Sequence, residues 1–307
     1  KMGLWKGGTF DVRYQNLHGH GLSANHVGDY QVYDSLDFGP FNHLSEYWYQ
    51  QSLFDNKFRI KIGKQDANFD FVALDSGFNY VNSSWCFPVN IPLPSYPNPS
   101  LGVVASIEPT DWLALRAGIY DGALKGGLSG FDTAFDGKDG AFLINELGVK
   151  PTIKDMPGNY LLGWWLHTGD VEEISDSDTP QMYGTNYGLY TMFEQMVYKE
   201  KADKDNDEGL RVLGQFSWAP SNRTELTRYY GAGLQYKGLV PTRDEDILGM
   251  STNFAKFSHR LRTLEDMRTE VSMEWFYKIK VTPWLSVQPD IQYIIKPSGN
   301  GSNAVVM

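Results

Sequence analysis

The chain has 307 residues, 41% of them hydrophobic and 14% aromatic, with a formal net charge of -10 and one cysteine, Cys86. The negative balance, with no basic block to offset it, argues against a nucleic-acid partner, and a single cysteine rules out an intrachain disulfide. Mean hydropathy is -0.39 and no run approaches the roughly 20 apolar residues of a spanning helix, which excludes a helical membrane protein.

In chain order, thirteen segments alternate apolar with polar residues and are predicted as strands. They lie near 8–17, 42–53, 57–64, 100–108, 112–120, 141–150, 160–168, 187–198, 209–219, 224–237, 246–257, 269–281 and 283–296. In the fifth, Leu113, Leu115, Ala117 and Ile119 share one face, and Trp112, Ala114, Arg116, Gly118 and Tyr120 the other. In the third, Phe58, Ile60 and Ile62 oppose Lys57, Arg59 and Lys61. Successive side chains of a strand point to opposite faces, so each segment has a greasy side and a mixed one. A soluble sandwich would alternate too, so the connections decide. They run long (18–41), short (54–56), very long (65–99), short (109–111) and long (121–140), with the contrast weaker past 198. A transmembrane antiparallel up-and-down β-barrel of the bacterial outer membrane has this order, because a strand meander separates short periplasmic turns from long external loops. Tyr47, Tyr49, Tyr120, Tyr160, Tyr198, Tyr229, Tyr277 and Tyr293 fall near strand ends, where interfacial girdles form.

The greasy faces assign the lumen. Glu46, Trp48 and Gln50 are predicted to point inward, followed by Arg59, Lys61, Arg116 and Glu146, and then Trp165 and His167 opposite Leu162, Trp164 and Leu166. A charge facing lipid costs roughly 2–4 kcal/mol at the bilayer midplane, so these charges belong in the pore or near an interface. The acidic stretch 199–209 reads as a solvated turn rather than a cation site, and His18-Gly19-His20 as polar surface rather than a metal ligand pair. No G-x-S-x-G elbow or HExxH pair appears, so an enzyme is not expected, and no cofactor is called for.

Several blocks resemble the carbohydrate-selective outer-membrane porins of the OprB type: GLWKGGTF at 3–10, SEYWYQQSLFDNKFRIKIGKQDA at 45–67, LPSYPNPSLGVVASIEPTDWLALRAGIYDG at 93–122, APSNRTELTRYYGAGLQYKGLVPTRDEDILGMSTNFAKFS at 219–258 and VTPWLSVQPDIQYIIKPSG at 281–299. Gln50 and Lys64 stand where that family often has Glu and Gln. The resemblance implies a sixteen-stranded barrel, for which residues 1–307 form a single domain lacking its first two strands and its last. It also implies diffusion of monosaccharides such as glucose, and an inward-folded constriction loop, for which the connection 65–99 is the candidate. There Asp66, Asn68, Asp70, Asp75, Asn79, Asn82 and Trp85 supply polar groups and a large ring, while Pro88, Pro92, Pro94, Pro97 and Pro99 stiffen the return and keep it from pairing.

A pyranose has hydroxyls that ask for donors and acceptors, and a C–H face that packs on an aromatic ring. Arg, Glu, Asp and Trp supply these. Binding must be weak enough for release, and a basic cluster of Arg59, Lys61 and Arg116 would tilt the pore toward anions. Expected partners are small sugars, outer-membrane lipid and lipopolysaccharide. The resemblance is compatible with a homotrimer and with a single barrel. The competing readings are a general or other-nutrient porin and a structural envelope barrel.

Overall fold

The structure is a computed structural model that describes residues 5–123, 138–201 and 206–307. The strands are β1 (Gly8–Leu17), β2 (Phe41–Leu53), β3 (Phe58–Gln65), β4 (Ser100–Thr110), β5 (Leu113–Asp121), β6 (Ala141–Val149), β7 (Thr152–Ile153), β8 (Met156–His167), β9 (Val171–Glu172), β10 (Met182–Tyr183), β11 (Asn186–Lys199), β12 (Gly209–Trp218), β13 (Leu226–Lys237), β14 (Ile247–Phe257), β15 (Thr269–Thr282), β16 (Leu285–Val287), β17 (Asp290–Ile295) and β18 (Ala304–Val306). One antiparallel sheet runs β1-β2-β3-β4-β5-β6-β8-β11-β12-β13-β14-β15-β17-β18. Each of the thirteen predicted strands is present. The last is interrupted at Gln288-Pro289, where proline has no N–H for the ladder.

The sheet curls. Tyr30 and Gln31, in the connection after β1, donate their backbone N–H groups to Glu270 on β15 at 2.7 and 2.8 Å. Gln292 on β17 donates to the Tyr33 carbonyl at 2.7 Å. Connections from the start of the sheet thus bind its far end, and the strands between must wrap around them. Among the described residues no strand pairing joins β1 to β18.

Exposure settles which face is which. Trp164 is 44% exposed and its neighbour Trp165 is 1% exposed. Leu115, Ile119, Ile60, Ile62 and Leu162 are exposed as well, whereas Glu146, His167 and Lys61 are buried. A soluble sandwich would put the apolar set inside. Here it forms the outer surface, which suits lipid.

Three local features differ from the reading of the sequence. Tyr160 and Tyr198 are exposed, as a girdle requires, but Tyr120 and Tyr229 are fully buried inside. A seven-residue helix, α1 (His259–Glu265), follows β14, its first turn closed by Ser258, whose hydroxyl accepts from Leu261 N–H at 3.1 Å. And β18 pairs with β17 at Ala304, Val305 and Val306, too few residues for alternation to register. Most of the connection 121–140, and residues 202–205 of the acidic stretch, lie outside the described residues.

Candidate functional site

The connection 66–99 lies inside the sheet because it carries an apolar side of its own. Phe71, Val72, Leu74, Tyr80, Trp85 and Ile91 are buried in one cluster with Val104, Tyr120, Phe142, Ile144, Leu161, Trp165 and Tyr190 of the wall. Burying a large apolar side chain contributes about 1.5–3 kcal/mol, so the six loop residues together favour docking over a solvated loop. Short turns shape the segment: the Asp66 carboxylate accepts from Asn68 N–H at 2.8 Å, and the Asn82 side-chain oxygen from Ser84 N–H at 3.1 Å. Glycine on the wall makes room. A Cβ at Gly118 would stand 2.9 Å from the Phe71 ring, and one at Gly233 would stand 2.6 Å from the Tyr80 hydroxyl and 3.0 Å from Trp85.

Irregular backbone at membrane depth needs partners for its N–H groups. A series of wall glutamates supplies them. Glu46 on β2 accepts from Asp66 N–H at 3.3 Å, and Glu146 on β6 from Val72 N–H at 2.8 Å. Glu194 on β11 accepts from Ser76 N–H at 3.0 Å, and Glu274 on β15 from Val81 and Asn82 at 2.6 and 3.2 Å. Glu270 does the same for Tyr30, Gln31 and Ser298. All five are buried. A carboxylate has two oxygens and about four acceptor positions, so one side chain can hold two successive amides.

Four of the predicted lumen residues, Glu46, Trp48, Arg116 and Glu146, belong to this clamp. Glu46 also accepts from Arg13 at 2.9 Å and from the Trp48 indole at 3.2 Å. Glu146 also takes Arg116 at 2.7 Å and the Tyr190 hydroxyl at 3.0 Å. Lys61 is ion-paired to Asp70 of the loop and lies 5.1 Å from the centre of the Trp48 ring. Arg59 is paired with Glu108 on β4 instead of the loop. Gln50 is half-buried on the Trp48 face. Asn68 is buried and donates to the Phe71, Val72 and Cys86 carbonyls. Trp85 stacks on Tyr80 at 4.6 Å, and its indole N–H reaches the Asn253 amide oxygen at 3.1 Å. Trp165 packs on Phe142. His167 Nε2 donates to the Gly122 carbonyl at 2.8 Å, and Nδ1 accepts from Gly169 N–H.

The basic cluster expected from sequence is therefore neutralised: Arg59, Lys61 and Arg116 each face a carboxylate. Sequence reasoning missed Glu194, Glu270 and Glu274. The available signal was a carboxylate at inward parity on β2, β6, β11 and β15, spaced around the sheet.

Two cavities flank the loop. An outer one of about 300 Å³ lies between it and the 18–40 connection, lined by Phe38, Phe69, Phe78, Phe87 and Tyr96 with Asp37, Asp66 and Asn68. Burial raises the Asp66 carboxyl above the usual range, while its bonds to Ser95, Asn68 and Tyr96 work against that rise. The inner cavity, about 400 Å³, lies between Asp75, Ser76 and Asn79 of the loop and charged side chains of β11 to β16.

The sequence model described as carbohydrate-selective porin, OprB family, matches residues 1–307. Porin B of Pseudomonas aeruginosa is 25% identical over 96% of this chain and 74% of its own length. Porin AaxA of Chlamydia abortus is 30% identical over 30% of this chain and 20% of its own length. The fold is similar to the high-pH structure of Pseudomonas putida OprB, with a TM-score of 0.86 and 21% identity over 98% of this chain and 81% of that one. A β-barrel with a lipid-compatible outer face and a chain-long family match lead to one conclusion: this chain belongs to the OprB family of carbohydrate-selective porins, outer-membrane channels rather than enzymes.

Proposed function

We propose that this porin passes neutral monosaccharides such as glucose down their gradient, and that the segment 66–99 is its constriction loop. The observation that carries the reading is the docking of that loop inside the sheet, pinned along its length by Glu46, Glu146, Glu194 and Glu274. A loop held this way narrows the lumen without closing it and presents one side to water. Phe69 and Phe78 are exposed on it, and Arg13 lies 4.9 Å from the Phe69 ring. Aromatic faces of the outer cavity take the C–H side of a pyranose, and Asp37 and Arg13 take its hydroxyls. In this reading Trp48, Gln50 and Arg59 border the wet passage, and Lys61, buried against Asp70, ties the loop to the wall. Glu46, Asp66, Asn68, Trp85, Arg116, Glu146, Trp165 and His167 act behind it by holding the loop and wall in place.

The test is single-channel conductance in a planar bilayer with glucose and maltose titrated against an amino acid of similar size. Sugar-dependent closure of the current, weakened by Trp48→Ala, supports the reading. Conductance indifferent to sugar returns the chain to a general or other-nutrient channel. Lipid and lipopolysaccharide contact by the apolar outer face, and homotrimeric assembly, belong to the same proposal. A cross-linked trimer in detergent supports the assembly, and a sedimenting species of one chain refutes it.

A further inference from the structure

We propose that the inner cavity binds the carboxylate of an acidic sugar, a uronic or aldonic acid, so that the pore takes anionic as well as neutral monosaccharides. The inference rests on the sugar-porin reading above and adds a ligand class to it. Its basis is an imbalance in how the charges around the cavity are used.

Lys237, Lys278, Lys280 and Arg211 line the cavity together with Asp75, Glu194, Asp207 and Glu245. The formal count is even, and Asp75 and Glu194 keep their charge, but among the described residues only Lys237 of the four cations is ion-paired. Asp207 and Glu245 both bind Lys237, at 2.7 and 3.2 Å, and Glu194 holds the Ser76 amide. The other cations have only neutral partners. Lys278 donates to the Asn79 side-chain oxygen at 2.9 Å and Lys280 to the Pro283 carbonyl at 3.2 Å. Among the described residues Arg211 makes no ion pair. Lys278 and Lys280 are two residues apart on β15, so both project from one face.

Like charges side by side on a strand, with no carboxylate in ion-pair contact with either among the described residues, are destabilising until an anion arrives. The site has the size for one: about 400 Å³ falls within the range of roughly 300–1,000 Å³ usual for small-molecule pockets. Asp75, exposed on the loop side of the same cavity, offers an acceptor for sugar hydroxyls. A ligand with a carboxylate at one end and hydroxyls at the other matches both walls, while glucose uses only one of them.

The experiment titrates sodium glucuronate and glucose as blockers of single-channel current. At 0.1 M salt, where charges are felt over about 10 Å, glucuronate should block at a concentration about fivefold or more below glucose; at 1 M salt, where the range falls to about 3 Å, that preference should collapse. Lys280→Gln, at an exposed side chain, should lower the glucuronate-to-glucose preference several-fold, and Lys280→Glu should reverse it. Lys278→Gln provides a second reading at the half-buried position. Equal block by the two sugars, or a preference untouched in both glutamine variants, overturns the acidic-sugar site while leaving the sugar porin standing. Absence of block by glucose itself overturns the underlying reading instead.

Discussion

At the scale of single residues, the inward carboxylates are structural acceptors first. Glu146 joins Val72 N–H, the Tyr190 hydroxyl and Arg116 at 2.8, 3.0 and 2.7 Å. Removing one partner of a buried ion pair leaves the other uncompensated, at a cost of about 3–5 kcal/mol. Glu146→Ala should therefore destabilise the folded barrel by that order in denaturant titrations. Glu146→Gln, which keeps an acceptor oxygen, should cost clearly less, and equal losses would show that the hydrogen bonds are not what matters. Cys86 gives a second handle on the same loop. Burial pushes its thiol up to about 12, so thiolate is scarce at neutral pH and grows with every unit of pH below that value. Labelling by a maleimide should be slow and should climb about tenfold per pH unit from 7 to 9 without levelling. A cysteine with an ordinary pKa of about 8.5 would begin to plateau in that range. A plateau near pH 9 would mean that the thiol is solvated and the loop looser than described.

At the scale of elements, strand and loop fit each other through absences as much as contacts. Gly233 on β13 leaves the space that Tyr80 and Trp85 fill, and the Tyr80 hydroxyl donates to the Leu234 and Met250 carbonyls at 3.1 Å. Gly233→Val adds bulk where no neighbouring backbone can retreat without breaking the ladder to β12 or β14. Overpacking of this kind costs typically 1–3 kcal/mol. The expected outcome is a barrel that still forms but releases the middle of the loop, read as faster Cys86 labelling; unchanged labelling would mean that the rings re-pack in place. Legibility in the sequence divides along the same line. Strands announce themselves because alternation is local: Trp164 and Trp165 take opposite faces from adjacent positions. The clamp is silent, because Glu274 and Val81 are 193 residues apart, and only the curl of the sheet brings them together. Tyr120 and Tyr229 read as girdle residues for the same reason, since position along a strand says nothing about a loop arriving to cover them. The short strand at Ala304–Val306 and the seven-residue helix after β14 lie below the length at which periodicity is visible.

At the scale of the whole molecule, the barrel holds its inward loop by many separate bonds rather than one hinge. The loop leaves β3 beside Glu46, passes Glu146 and Glu194, and reaches Glu274 on the far wall before returning to β4. Its apolar side supplies most of the affinity for the wall, and the carboxylates fix its position. Losing one anchor should leave it docked by the rest, so Glu146→Ala and Glu274→Ala should each change conductance modestly. Removing both frees the Val72 and the Val81–Asn82 amides together, and buried N–H groups without acceptors favour exposure to water. The double variant should therefore show more than the sum of the single effects: a larger and noisier single-channel current and a weaker glucose block, because the loop no longer holds one position in the lumen. Strict additivity would mean that the two anchors act on separate, uncoupled stretches of loop. An unchanged current in the double variant would mean that the apolar cluster of Phe71, Leu74 and Trp85 alone sets the bore of the channel, and that the carboxylates only relieve buried amides.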